Sequence, residues 1–237
     1  MRFLSRAPSL EVICDFSRPF FPGCQFEILP PMLFADVREE KQITQRVNRY
    51  TRQPQYSAEH IIQYLKRMRR RERKNDIREL FCIAVTMVDI YPEPDWNFVF
   101  GLAAEEDRIG IYSFARLDPL FPIESTPPIC TEDERRLILQ RGTGVFIHEI
   151  IHLFGLDHCI YYLCMMNGGE TLEEMDRQPL YLCPICLRKM YSALGDNKKT
   201  FNVVQMYTEI VDLCRRLGFE EALVWYENRL GILTTGV

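Results

Sequence analysis

The amino-acid sequence predicts an α+β chain, with strands gathered in its first half, helices in its second, and a metal-binding segment where the two meet. Three observations carry this. Phe81 to Ile90 is almost continuously apolar and β-branched, the pattern of a strand buried on both faces. Segments at 58–73, 200–217 and 219–230 instead repeat apolar residues at helical spacing. Between them lie His148, His152 and His158, three of the chain's four histidines, and then Cys159, Cys164, Cys183 and Cys186, four of its nine cysteines. Chance does not cluster ligand-forming side chains in this way.

Taken in order, Leu10–Phe16 and Phe26–Leu29 read as short strands interrupted by Pro19, Pro22 and Pro30. Ser57 is placed to cap a helix from about 58 to 73, with Ile61, Ile62, Leu65 and Met68 on one face. Its end, Lys66–Lys74, holds seven basic residues in nine. A nucleic-acid patch is one reading of that run; a solvated helix end with cations at the negative dipole terminus is the favoured one. After the Phe81–Ile90 strand, Trp96–Ala104 and Ile109–Arg116 form two more, joined by an acidic turn at Glu105–Asp107. Residues 118–130 are proline-rich and read as a surface loop. Thr131 and Glu134 form a capping box for a helix leading to the histidines, with a break expected at Gly142 and Gly144. Helices then follow over 187–194, 200–217 and 219–230, the first two stopped by Gly195 and Gly218.

His148 and His152 are four residues apart, so on a helix both imidazoles face one point. Glu149 stands beside the first, within reach of a metal-bound water without being a ligand. Gly155 accepts the left-handed geometry of a helix end, after which the chain can return His158 as a third ligand. Three neutral imidazoles leave the fourth position of a tetrahedral zinc open, which is the arrangement of a catalytic site. The competing reading, a buried helix that happens to carry histidines, is the weaker one, because converging imidazoles need a partner. Cys159, Cys164 and the Cys183-Pro-Ile-Cys186 knuckle read as a second, closed zinc site; one or two disulfides, or free core thiols, are the alternatives.

Composition narrows the classes. With 237 residues, 47% apolar and 26% charged, the chain has the make-up of one globular domain or two closely packed ones. A net charge of −4 gives no general attraction to nucleic acid or an anionic membrane, and no apolar run nears the roughly 20 residues of a membrane span. No apolar segment or cleavage site follows the basic Met1–Arg6 start, so a signal peptide is not expected. Cytosol or nucleus is the expected compartment, with Cys14, Cys24, Cys82, Cys130 and Cys214 as reduced core thiols.

The spacing His148-Glu-x-x-His152-x-x-Gly155-x-x-His158 is the zinc signature of the metzincins. With Cys159, Cys164, Met166 and the later Cys183-x-x-Cys186, the stretch resembles the archaemetzincins. The resemblance extends to Thr86–Pro92, Trp96–Gly101 and Gly110–Arg116, and so covers roughly residues 80–190. It implies a metzincin-like fold: a mixed twisted sheet with a backing helix and a zinc-binding active-site helix, followed by a mostly helical part with a four-cysteine zinc site. Residues 1–155 would form the first subdomain and 156–237 the second. The chain resembles vertebrate family members from close to the start of their catalytic core. Implied too are two zinc ions per chain, one catalytic and one structural, a methionine turn at Met166, and peptide or protein substrates, with aminopeptidase-like cleavage as one form. In such folds an edge strand above the cleft holds the substrate backbone, and Ile109–Arg116 is the candidate, an ordinary paired strand being the equal alternative. Glu173, Glu174 and Asp176 are candidates to orient a ligand histidine, with a solvated acidic loop the better reading. The expected function is a zinc peptidase with Glu149 as general base; the rival is a non-catalytic, zinc-stabilised interaction module. Neither nucleic acid nor membrane is an expected partner.

Overall fold

In the computed structural model of the chain, residues 6–32, 43–72, 79–122, 129–194 and 201–235 are described. The first half contains α1 (Leu10–Ser17), β1 (Gln45–Val47), β2 (Pro54–Ser57), α2 (Ala58–Glu72), β3 (Cys82–Thr86), β4 (Asp89–Tyr91), β5 (Gly101–Ala104) and β6 (Ile109–Ser113). The second is helical: α3 (Glu132–Leu153), α4 (Leu172–Asp176), α5 (Pro184–Ala193), α6 (Val203–Leu217) and α7 (Glu220–Thr235). By compactness the chain forms two units, Met1–Ala7 with Leu29–Glu134, and Pro8–Ile28 with Arg135–Val237. This division falls within the start of α3 rather than at residue 155.

The first unit holds two small mixed sheets, ordered β1-β2-β4 and β3-β6-β5. The apolar run Phe81–Ile90 is therefore not one strand. Thr86 Oγ1 captures the Val88 amide at 3.2 Å, the chain bends, and β4 leaves to pair in parallel with β2. The half-buried β3 lies at one edge of its sheet, and the fully buried strand is β6, parallel to β3 and antiparallel to β5. This corrects the expectation for Ile109–Arg116: a strand paired on both sides has no free edge to offer a peptide. Ile61, Ile62 and Leu65 of α2 pack in one cluster with Ile90, Ile109 and Ile111, so α2 does back the sheets. The basic run is also less solvated than expected. Arg69 is 6% exposed, paired with Glu79 at 2.7 Å and donating to the Asp107 carbonyl, while Lys66 pairs with Asp107. Arg73 and Lys74 lie outside the described residues.

In the second unit, α1 replaces the strand expected at Leu10–Phe16. Ser9 Oγ accepts from the Val12 amide, and Ile13, Cys14, Phe16 and Ser17 form a buried helical face, with Phe16 against Phe219. Phe26–Leu29 is extended but unpaired; Phe26 packs instead on Phe146. Helix α3 runs for 22 residues through Gly142 and Gly144 without the expected break. Leu180 packs closely on the helix here: a Cβ on Gly144 would lie 3.1 Å from Leu180 Cδ2. Gly195 lies outside the described residues, whereas Gly218, at φ 70°, ends α6 as expected.

One buried ion pair in the first unit invites a direct test. Arg6 and Asp118 are joined at 2.6 and 2.8 Å with side chains 1% and 0% exposed, and Glu134 lies 3.4 Å from the guanidinium. Asp118→Ala strands a buried cation with only Glu134 for company, so urea unfolding should show a loss of about 3 kcal/mol.

Candidate metal centres

His148 and His152 stand one turn apart near the end of α3, their ring centroids 4.6 Å apart. Gly155, at φ 82°, turns the chain, and its amide donates to the His152 carbonyl at 2.7 Å. The return brings the His158 ring to 4.8 Å from His152 and 5.3 Å from His148. One nitrogen from each ring falls in a group spanning no more than 4.8 Å. His148 is buried, His152 half-buried and His158 exposed, so the cup is open on the His158 side.

The hydrogen bonds settle which nitrogens face inward. His148 Nδ1 lies 2.8 Å from the Met165 carbonyl oxygen and His152 Nδ1 lies 2.6 Å from that of Leu156. A carbonyl oxygen only accepts, so in the neutral rings both protons sit on Nδ1 and both Nε2 atoms present lone pairs. Those lone pairs meet at 2.9 Å, where neither has a proton to give. Two facing acceptors in a half-buried cup are a defect unless a cation lies between them. Tetrahedral zinc with Zn–N of about 2.0–2.1 Å would separate them by roughly 3.4 Å, a few tenths of an ångström from what is seen. Burial, together with the repulsion that a proton on His152 would add, pushes the His148 pKa down to about 3 against the opposing Met165 hydrogen bond, which keeps the ring in its ligand form. Next to it in the chain Glu149 is half-buried, and loss of hydration pushes its carboxyl up to about 8.

The four cysteines converge likewise. Their sulfurs lie within 4.8 Å of one another, all four are buried, and all are free thiols, which removes the disulfide reading for them. Cys159 and Cys183 sulfurs are 3.7 Å apart. Four thiolates about 2.3 Å from one zinc would stand roughly 3.8 Å apart, so the cluster fits that ion closely. Backbone amides point at the sulfurs: Cys186 N–H to Cys183 across the Cys-x-x-Cys turn, and Cys183 and Met166 N–H to Cys164. Burial pushes Cys164 up to about 11 and raises Cys186 strongly. For Cys159 burial is outweighed by hydrogen bonds from the Tyr161 and Tyr162 backbone and from the other thiols, which bring it down to about 7. A bound cation is what would release the remaining protons.

The segment joining the clusters contains residues that motif reading passed over. The Asn167 side chain donates to the carbonyls of Cys159 and Tyr162 and accepts from the Cys164 amide, closing the loop between the first two cysteines. Gly168 underlies the third histidine, since a Cβ there would sit 3.1 Å from His158 Nδ1. Met166 is fully buried in the same turn. The only advance sign was Asn167-Gly168-Gly169 itself, a turn composition. Two of the acidic candidates have other partners: Glu174 closes a capping box with Thr171, and Asp176 pairs with Arg141. The protons of His148 and His152 go to backbone carbonyls instead.

A pH dependence follows for the metal-free chain. An unfolded imidazole takes its proton near 6.5, whereas His148 resists until about 3. Between these values the unfolded state binds more protons, so this contribution to stability is complete above 6.5 and is lost as pH falls towards 3. Urea unfolding across that range should show it, and His148→Phe should flatten the slope.

Known proteins similar to this chain identify its family. The model of Peptidase family M54 matches residues 25–192. Mouse (Mus musculus) archaemetzincin-2 is 35% identical over 215 residues, covering 83% of this chain and 55% of the relative. Human (Homo sapiens) archaemetzincin-1 is 28% identical over 222 residues, covering 85% and 41%. Among solved structures, a zinc-dependent peptidase from Methanocorpusculum labreanum superposes with a TM-score of 0.54 at 25% identity, over 77% of this chain and 92% of that one. The chain spans about half the length of the curated archaemetzincin-2 proteins it matches. From the family model and these relatives together, the chain belongs to peptidase family M54, the archaemetzincins.

Proposed function

We propose that this chain is a zinc metallopeptidase of metzincin type. His148, His152 and His158 hold a catalytic zinc, Cys159, Cys164, Cys183 and Cys186 hold a structural one, and Glu149 is the general base. The observation that carries the reading is the facing pair of Nε2 atoms in two rings whose Nδ1 protons go to backbone carbonyls, with Glu149 next in the chain to the first ring. Zinc held by His148, His152 and His158 would supply Lewis acidity towards a peptide carbonyl and a water molecule.

The protein's own groups do the rest. A nearby cation lowers the Glu149 carboxyl from its raised value, leaving a carboxylate at neutral pH. That carboxylate takes a proton from the attacking water and returns it to the amide nitrogen as the C–N bond breaks. The Met165 and Leu156 carbonyls keep two imidazoles in the tautomer that ligates. Cys159 clamps the segment that delivers His158, and the buried turn at Met166 serves as the methionine turn beneath the site. The substrates are peptides, and aminopeptidase-like cleavage from a free N-terminus is one form that the resemblance to the archaemetzincins implies.

Metal analysis and peptide hydrolysis test this together. Wild type should carry two zinc ions per chain, and His152→Ala one. Glu149→Gln should keep both and lose about 10²–10⁴-fold in turnover. Two zincs with no hydrolysis by wild type of any peptide in a diverse library would instead establish an interaction module. Acetylating the N-terminus of a cleaved peptide should abolish its cleavage if the enzyme trims from that end.

A further inference from the structure

Helices α6 and α7 lie beyond residue 192, outside the segment matched by the family model. We propose that Tyr226 on α7 is a positioning residue for the histidine cup, acting through the strap Leu180–Leu182, so that this C-terminal hairpin is a working part of the metal site. The inference rests on the reading of the cup as a zinc site.

The connection can be followed atom by atom. Tyr226 is 1% exposed, and its hydroxyl donates to the Leu180 carbonyl at 3.0 Å. Next along the strap, the Tyr181 ring stacks on Trp225 at 3.9 Å with the planes 4° apart. Tyr207 of α6 packs edge-on against both Trp225 and Tyr226, which fixes the two aromatics on α7. The Tyr181 carbonyl accepts the Met165 amide at 2.8 Å, and the Met165 carbonyl holds His148 Nδ1 at 2.8 Å. The strap presses on the zinc-motif helix as well, with Leu180 against Gly144, one turn before His148. Leu182 then leads directly into Cys183 of the cysteine cluster.

A tyrosine buried only for its bulk would need no hydroxyl there, and phenylalanine would serve. Here the hydroxyl is used on the strap, whose next carbonyl holds the residue that orients a ligand. Partners of ligating histidines tune metal affinity by about 10–100-fold, and this chain of contacts places Tyr226 behind one such partner.

Tyr226→Phe in the full chain keeps the ring and removes the one bond. Ile13→Val, at a buried residue of α1, serves as a control for lost packing. The expected result for Tyr226→Phe is zinc leaving the histidine site about 10-fold more readily to a chelator, with the cysteine site unchanged. In the metal-free chain the Met165 amide should exchange faster. With zinc, kcat should fall at unchanged KM, and the acid limb of its pH profile should move up. Ile13→Val should lower stability and move none of these. Tyr226→Phe with zinc affinity, Met165 exchange and kcat all at wild-type values would overturn the positioning role while leaving the peptidase reading intact. A wild-type cup that binds no zinc would overturn both.

Discussion

Two backbone carbonyls decide what the site can be. Those of Leu156 and Met165 each take an Nδ1 proton, and by doing so commit His148 and His152 to presenting bare Nε2 atoms to each other. Were either carbonyl turned away, its imidazole would be free to flip or change tautomer, and the cup would lose its demand for a cation. Because the orienting groups are main-chain atoms, their placement depends on the path of residues 154–168 rather than on any one side chain. Gly155, Asn167 and Gly168 gain their importance here, as the residues that let that path exist.

The two clusters then behave as one construction. His158 and Cys159 are neighbours in the chain, and Met165 and Met166 continue directly from Cys164. The Cys159 amide bonds to the Met166 carbonyl at 2.6 Å, while Asn167 ties the ends of the intervening loop. A metal holding four sulfurs would restrict both ends of the segment that supplies the third imidazole and the Met165 carbonyl. Ordering that segment in advance lowers the entropy lost when the cup takes its own ion.

The first unit is held by a different kind of bond. Its apolar cluster brings α2 against strands of both small sheets, and a buried polar group binds around Asp89. Arg116 meets that carboxylate in two bonds, at 2.7 and 2.8 Å, and Gln55 adds a third at 2.9 Å. Neighbouring charges and amides satisfy one another there, which is the condition for burying them without large loss. The strand is interrupted after Thr86, and beyond the bend Asp89 meets Gln55 and Arg116.

Read alone, the sequence determined everything that depends on spacing along a helix or within a knuckle. It picked out the histidines and cysteines that the fold gathers into two clusters, the helix that carries His148 and His152, the stop at Gly155, the caps at Ser57 and Thr131, and the longer helices of the second half. These are local facts, set by periods of a few residues. The tertiary structure decided what distant residues must share. It turned the expected strand at Leu10 into a helix, because its apolar face had Phe219 to pack on. It divided Phe81–Ile90 between two sheets, buried Ile109–Ser113 between two strands, and carried α3 straight through two glycines, with Leu180 packed at the second. It also chose the partners of the histidines. Backbone carbonyls leave no trace in composition, so which of them would meet an imidazole was knowable only once the chain had folded.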